Sequence, residues 1–409
     1  MSDVLTRFMR YVQVSTQSNE DNCDVTPSTP CQFDLANMLA QELLELGAAD
    51  AHVTDNAYVV AHVPATPGHE DAPALGLIAH IDTTQDAPAD NVCPRVITYE
   101  GGDLVAGVVD GKPVSMSAEK LPALHDLVGQ ELVVTDGTTL LGGDDKAGVA
   151  EIMSMIVYLN EHPQIAHPTL GICFAPDEEI GHGAELLDIE EFNCKYAFTV
   201  DGGPIGELEW ECFNAAGVTM EFSGHTIHPG DAKGRMVNAI HLFEEFQSCL
   251  PAHMRPEHTE GYEGFIHILS FSGTCEHATA RYIVRDHDAA AFERKLDLMQ
   301  TACKMVNARH NSEVAHIEIV QQYQNMAEIV KDELHLIDNA KIAFEKAGYT
   351  PTVIPIRGGT DGAQLSFRGL PCPNLSTGGY CMHSVNEFIP VKSLEDMVNV
   401  LVELVALYA

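Results

Sequence analysis

Apolar residues recur at helical spacing over 34–47 (DLANMLAQELLELG), a stretch closed by Gly47. The opening MSDVLTRFMRYVQ has the same two-sided character and predicts an N-terminal amphipathic helix. Leu75–Ala79 (LGLIA) is too short for a helix and reads as a buried strand. Glu131–Thr135 is strand-like, 145–160 (DKAGVAEIMSMIVYLN) helical, and Thr169–Ala175 and Tyr196–Val200 are again strands. Strands alternating with helices predict an α/β domain with a largely parallel sheet. The rhythm changes after Trp210: a strand at 217–222, a helix at 236–249, strands at 264–272 and 279–286, a helix at 290–307 and a strand at 313–320. That βαββαβ order is the order of a ferredoxin-like α+β sandwich. From about 333 a helix returns, followed by a strand at 352–356 and helices at 361–367 and 391–407. The expected architecture is therefore one α/β domain, residues 1–211 and 326–409, interrupted by an inserted α+β lid, residues 212–325.

At 409 residues the chain exceeds one ordinary domain, which agrees with that division. The charge balance narrows the partners. Sixty acidic residues stand against 22 basic ones, a net charge of −38, and such a surface repels nucleic acid and anionic membranes. The 11 cysteines are odd in number and form no C-x-x-C pair, which argues against a disulfide framework and a thiolate zinc site and for a reducing compartment. No run approaches the ~18 apolar residues a membrane span needs, and the N-terminus lacks a signal-peptide core. The expected location is the cytoplasm.

Four segments set histidine or carboxylates just past a predicted strand: IAHIDTT (78–84), LGGDDKAG (141–148), APDEEIGHG (175–183) and TVDGGPIGELE (199–209). A fifth, GGYCMHSVNEF (378–388), follows the apolar Pro373–Ser376. Ligands of open parallel sheets bind outside the carboxyl ends of the strands, so these tips should converge. Singly each is weak, because an Asp at a strand end is more often a helix cap or a turn residue. Together, so many carboxylates in one cleft would repel one another unless a cation neutralised them. Two imidazoles with several carboxylates suit zinc or a similar divalent ion.

The ordered set H-I-D-T, G-G-D-D-K-A-G, P-D-E-E, T-V-D-G-G and G-Y-x-M-H resembles the di-zinc exopeptidase superfamily of glutamate carboxypeptidases, aminoacylases and peptidase T. The likeness is greatest to the peptidase T family of tripeptide aminopeptidases. It extends through FMRYVQVSTQS, HPGDAKGRMVNA, TEGYEGF and PIRGGTDGAQLSFRGLPCPNL. It implies a zinc-exopeptidase-like α/β catalytic domain with an inserted ferredoxin-like lid, and two zinc ions per subunit. His80 and Asp201 would bind one zinc, Glu179 and His383 the other, and Asp144 would bridge them; spacing alone does not choose between Asp144 and Asp145. Asp82, sharing a face with His80 along extended backbone, would fix the imidazole. Glu178 would diverge from Glu179 if that backbone is extended too, and would act as general base on a water shared by the zinc ions.

The lid would contribute His228, from HPGDAKG (228–234), to stabilise the tetrahedral oxyanion, although His225 supplies a second imidazole nearby in sequence. Arg285 and Arg357 would bind a peptide carboxylate, a task suited to a planar fork of donors; a domain-packing ion pair is the other reading of Arg285. Relatives usually carry Glu at position 201 when they are carboxypeptidase- or deacylase-like and Asp when they are aminopeptidases; this chain has Asp201. The implied activity is release of the N-terminal residue from short peptides, preferentially tripeptides. A dipeptidase or N-deacylase of the same superfamily is the enzymatic alternative, and a peptide-binding protein without turnover the non-enzymatic one. A homodimer formed through the lid is open.

Overall fold

The computed structural model describes residues 3–409. The first two positions of the predicted N-terminal helix lie outside the described residues; the helix itself runs Asp3–Tyr11. The chain divides into two units. One comprises the residues up to Trp210 with Glu328–Ile354 and Thr360–Ala409, the other Glu211–Ala327 with Pro355–Gly359.

The first unit is built on an eight-stranded sheet. At its centre Leu75–His80 lies parallel to both Leu170–Ala175 and Tyr196–Val200, and Asn374–Leu375 continues the parallel set. All residues of Leu75–His80, Leu170–Ala175 and Tyr196–Val200 are buried, the reason their sequences are unbroken apolar runs rather than alternations. The sheet is mixed rather than largely parallel: Val59–Val63 joins one side antiparallel and Glu207–Glu209 the other. Strand 352–356 shrinks to Thr352–Val353, which pairs with Glu207–Leu208.

Glu131–Val134 departs from the expected α/β alternation. It pairs antiparallel with Arg95–Thr98 and Phe388–Pro390 in a separate three-stranded sheet. A four-residue apolar run carries no information about its partner, and both partners are distant in sequence. The helix Gly143–Glu161 is apolar on nearly every side and correspondingly buried. It packs against Asp3–Tyr11, Val391–Ala406 and the strand Leu75–His80.

The second unit is a four-stranded antiparallel sheet in the order Phe265–Gly273, His277–Asp286, Asn214–Ser223, Ala315–Tyr323. With helices Ala239–Gln247 and Ala289–His310 it has the ferredoxin-like βαββαβ connectivity. Val218, Met220, Phe222, Phe246, Tyr282 and Met299 are among its core residues. No described helix is long and apolar enough to cross a membrane.

Candidate metal centre

His80 ends a central strand and Asp201 follows one, so parallel topology alone sends both to the same sheet edge. His80 is 2% exposed, and its Nε2 stands 3.0 Å from Asp144 Oδ1 and 3.9 Å from Asp201 Oδ2. The other oxygen of Asp144 faces the second imidazole, with His383 Nε2 at 3.3 Å, and His383 Nε2 is also 3.1 Å from Glu179 Oε2. Asp144 thus lies between two histidines more than 200 positions apart in the chain, presenting one oxygen to each.

Asp144 reaches this place at the start of a helix rather than at a strand tip. The Asp144–Asp145 peptide is cis, and neither residue has helical angles. Gly148 permits the approach: a Cβ there would be 1.9 Å from the carbonyl oxygen of Val200, the residue before Asp201. Asp145 turns to backbone donors, accepting from His80 N–H at 3.1 Å and Gly148 N–H at 3.2 Å.

Asp82 is fully buried, and its carboxylate serves three groups. Oδ1 is 3.3 Å from His80 Nδ1, while the N–H groups of Glu178 and Glu179 donate to Oδ1 and Oδ2 at 3.0 and 3.2 Å. Glu178 and Glu179 are not on extended backbone. Asp177, at φ 58°, turns the chain into a short 3-10 helix, Glu178–Ile180. The expected divergence of two extended neighbours is therefore replaced by a tight turn pinned by Asp82.

Burial, then the Asp144 carboxylate, pushes Asp201 up to about 7. Burial, then Asp361, holds Glu178 well above the usual carboxylate range. Burial also raises Glu179, whose Oε1 is enclosed with no hydrogen-bond partner among the described residues. Hydrogen bonds to Asp144 and Glu179 raise His383 to about 11. So many carboxylates packed into one buried cleft favour a cation among them. Donor atoms of His80, Asp145 and Asp201, and of His80, Asp144 and Glu179, all lie within 4.8 Å of one another in each set. Two imidazoles with hard carboxylates form a donor set that fits a divalent cation of the zinc type.

Several residues around the cluster escaped the sequence reading. Asp86 takes His383 Nδ1 at 2.9 Å. Glu387 accepts from the backbone of Leu141, Gly142 and Asp144. Asp361, outside the expected ligand set, is buried with Oδ1 unpartnered among the described residues, and burial pushes it up to about 8. Glu387 stands directly before the apolar Phe388-Ile389, the one available sequence signal for its burial.

The three remaining predicted residues belong to the second unit. His228 is exposed, and its Nδ1 accepts the Gly230 N–H at 3.1 Å, which places the proton of a neutral ring on Nε2. Arg285 lies over the Tyr323 ring and donates to the carbonyls of Ala216 and Val284. Arg357 donates to Gly261 O at 2.6 Å, Glu263 O at 3.0 Å and Thr259 Oγ1 at 3.1 Å, and stacks on Phe213 and Phe265.

Residues 211–311 match the model of the peptidase dimerisation domain. The chain is 48% identical to a peptidase T of Parabacteroides distasonis, over 99% of both proteins, and 46% identical to one of Clostridium novyi over the full length of each. Its fold is that of an aminopeptidase PepT from Bacillus cereus, with a TM-score of 0.78 at 24% identity over 99% of this chain and 97% of that one. A tripeptidase from Staphylococcus aureus superposes with the same TM-score at 22% identity, over 99% and 98% of the two chains.

Proposed function

The chain belongs to the peptidase T family, and from that membership we propose that it is a cytoplasmic metal-dependent aminopeptidase that releases the N-terminal residue from short peptides, preferentially tripeptides. The observation that carries this reading is the Asp144 carboxylate, with one oxygen toward His80 and the other toward His383. It supports Asp144 as the shared ligand, because each of its oxygens faces a different imidazole, whereas each Asp145 oxygen accepts a backbone N–H. His80 and Asp201 would hold one zinc ion and Glu179 and His383 the other. When bound, the two ions would polarise the scissile carbonyl and acidify the attacking water.

The protein's own groups do the remaining work. Glu178 accepts a proton from the attacking water and returns it to the leaving amine; a carboxyl raised by burial suits both halves of that task. Asp82 orients His80 through Nδ1 and anchors the turn bearing Glu178 and Glu179, so base and ligand share one support. His228, its Nε2–H free to donate, suits the oxyanion. Arg285 suits the substrate carboxylate, since it has no carboxylate partner among the described ion pairs and bonds only neutral groups, the carbonyls of Ala216 and Val284 and the Tyr323 side chain. Arg357 is a weaker candidate, because its guanidinium already staples residues 259–263. The dimerisation-domain match supports pairing of two copies.

The test is hydrolysis of Met-Gly-Gly, Gly-Gly and N-acetyl-Met, with and without chelator. Turnover of the acetylated compound but not of the free tripeptide would overturn the aminopeptidase assignment in favour of a deacylase. Glu178→Ala is expected to remove nearly all turnover and keep its metal. Loss of metal from that variant would reverse the division of labour between Glu178 and Glu179.

A further inference from the structure

Glu387 lies four residues beyond His383 and is 2% exposed. Its Oε2 accepts the N–H groups of Leu141 and Gly142, each at 2.8 Å, and its Oε1 accepts the Asp144 N–H at 3.0 Å. All three donors belong to the segment that delivers Asp144. The carboxylate can come this close because residue 143 is glycine: a Cβ there would be 2.9 Å from Glu387 Oε1.

The loop that carries His383 is closed at its base. Tyr380 and Phe388 exchange backbone hydrogen bonds at 2.9 and 3.1 Å. Inside it, Glu387 N–H donates to Ser384 O at 3.1 Å and Ser384 Oγ–H to Cys381 O at 2.7 Å. Beyond it, Phe388 pairs with Val134 in the small sheet. The chain running from Val134 to Asp144 and the chain running back from Phe388 to His383 therefore leave one ladder together. Glu387, the residue next to Phe388, joins them a second time by reaching Leu141–Asp144 at the far end of the other chain. His383 itself stands at φ 60°, a left-handed conformation that a non-glycine residue keeps only where its surroundings hold it.

We propose that Glu387 is a positioning residue: it clamps the backbone of Asp144 to the His383 loop, so that the shared ligand and the second imidazole meet the metal as one rigid unit. This rests on the two-metal reading above. Buried N–H groups that lose an acceptor are costly, so the segment would shift to find other partners, and Asp144 would move with it. Ligand supports of this kind are generally worth about 10–100-fold in metal affinity.

The experiment uses the full-length protein and compares wild type with Glu387→Gln, which keeps the shape of the side chain but turns one accepting oxygen into a donor facing N–H groups. Zinc affinity is read by competition with a chromophoric chelator, amide hydrogen exchange at Leu141, Gly142 and Asp144 by mass spectrometry or NMR, and kcat and KM separately. The variant should bind zinc about 10–100-fold more weakly, exchange those amides faster, and lose kcat while KM holds. Faster exchange with wild-type zinc affinity and kcat would show a merely structural staple and overturn the proposal. Gly143→Ala presses on the same carboxylate from outside and decides the matter if the Gln variant does not fold: weakened zinc binding supports the clamp, and wild-type binding overturns it. A wild-type protein that binds no zinc overturns the metal reading, and the clamp with it, before either variant is compared.

Discussion

Replacing Gly148 by alanine sets two effects of opposite sign against each other. Inside a helix alanine is favoured over glycine by about 1 kcal/mol. Here the added methyl would stand 1.9 Å from the Val200 carbonyl oxygen, against the 3.4 Å at which ordinary contact begins, and 2.6 Å from Asp145 Oδ1. The carbonyl is fixed at the end of a central strand with neighbours on both sides, so it cannot turn away. The start of the helix must lift instead. Lifting stretches the bonds that Asp145 accepts from Gly148 and His80, at 3.2 and 3.1 Å. Overpacking costs roughly 1–3 kcal/mol and each lost bond to a charged group roughly 1.5–3, so the clash outweighs the propensity gain. The net expectation is a destabilisation of about 3–8 kcal/mol. The displacement falls between Asp144 and Asp201, and a misplacement of about 1 Å can cost 10²-fold in rate. Chemical denaturation, metal content and kcat on a tripeptide read the three consequences. A Gly148→Ala protein as stable as wild type, with wild-type kcat, would refute the claim that helix and strand end are in forced contact.

Glu151, further along the same helix, is buried with neither oxygen hydrogen-bonded among the described residues, and burial alone pushes its pKa well above normal. The folded state then keeps a proton that the unfolded chain releases above about pH 4.3, so stability falls as pH rises from there, by up to about 1.4 kcal/mol per pH unit. Glu151→Gln should gain on wild type steadily with pH in paired denaturation curves; parallel curves would remove the buried neutral carboxyl. The His383 proton, raised to about 11 without metal, must leave before the ring can bind. Zinc affinity should therefore increase with pH and binding should release protons, measurable by calorimetry in buffers of different ionisation enthalpy; binding without proton release contradicts this. Arg285→Ala should raise KM for tripeptides about 10–100-fold with little change in kcat, as expected for about 1.4–3 kcal/mol of lost charge-assisted binding. Arg357→Ala should instead lower thermal stability with KM near wild type, and the opposite pattern would exchange the two roles.

What could be read from sequence follows from how far each signal travels. The runs Leu75–His80, Leu170–Ala175 and Tyr196–Val200 are apolar because both faces of a central strand are covered, and parallel order then sends His80 and Asp201 to one edge. Those signals are local, and they sufficed for the α/β class and the convergence of the tips. Glu131–Val134 was equally visible as a strand, but its sheet depends on Arg95–Thr98 and Phe388–Pro390, which nothing within the run specifies. The same limit governs the carboxylates. Asp144 and Asp145 are identical side chains on adjacent residues; one faces two imidazoles and the other two backbone N–H groups because of a turn their own sequence does not encode.

Glu178 and Glu179 show how such a local ambiguity is resolved by a distant group. Alternation along an extended strand would have separated them by geometry alone, but Asp177 turns the chain and abolishes the alternation. Their backbone N–H groups instead both donate to Asp82, a residue that also touches the His80 ring. The Glu179 side chain is left beside His383, and that of Glu178 is raised by burial and then by Asp361. Asp82 thus sets the directions of two neighbouring glutamates through their backbone. Asp82→Asn tests this directly: its amide can still accept one N–H but must turn a donor toward another, so both zinc affinity and kcat should fall together. A variant that lost affinity alone would confine Asp82 to holding His80.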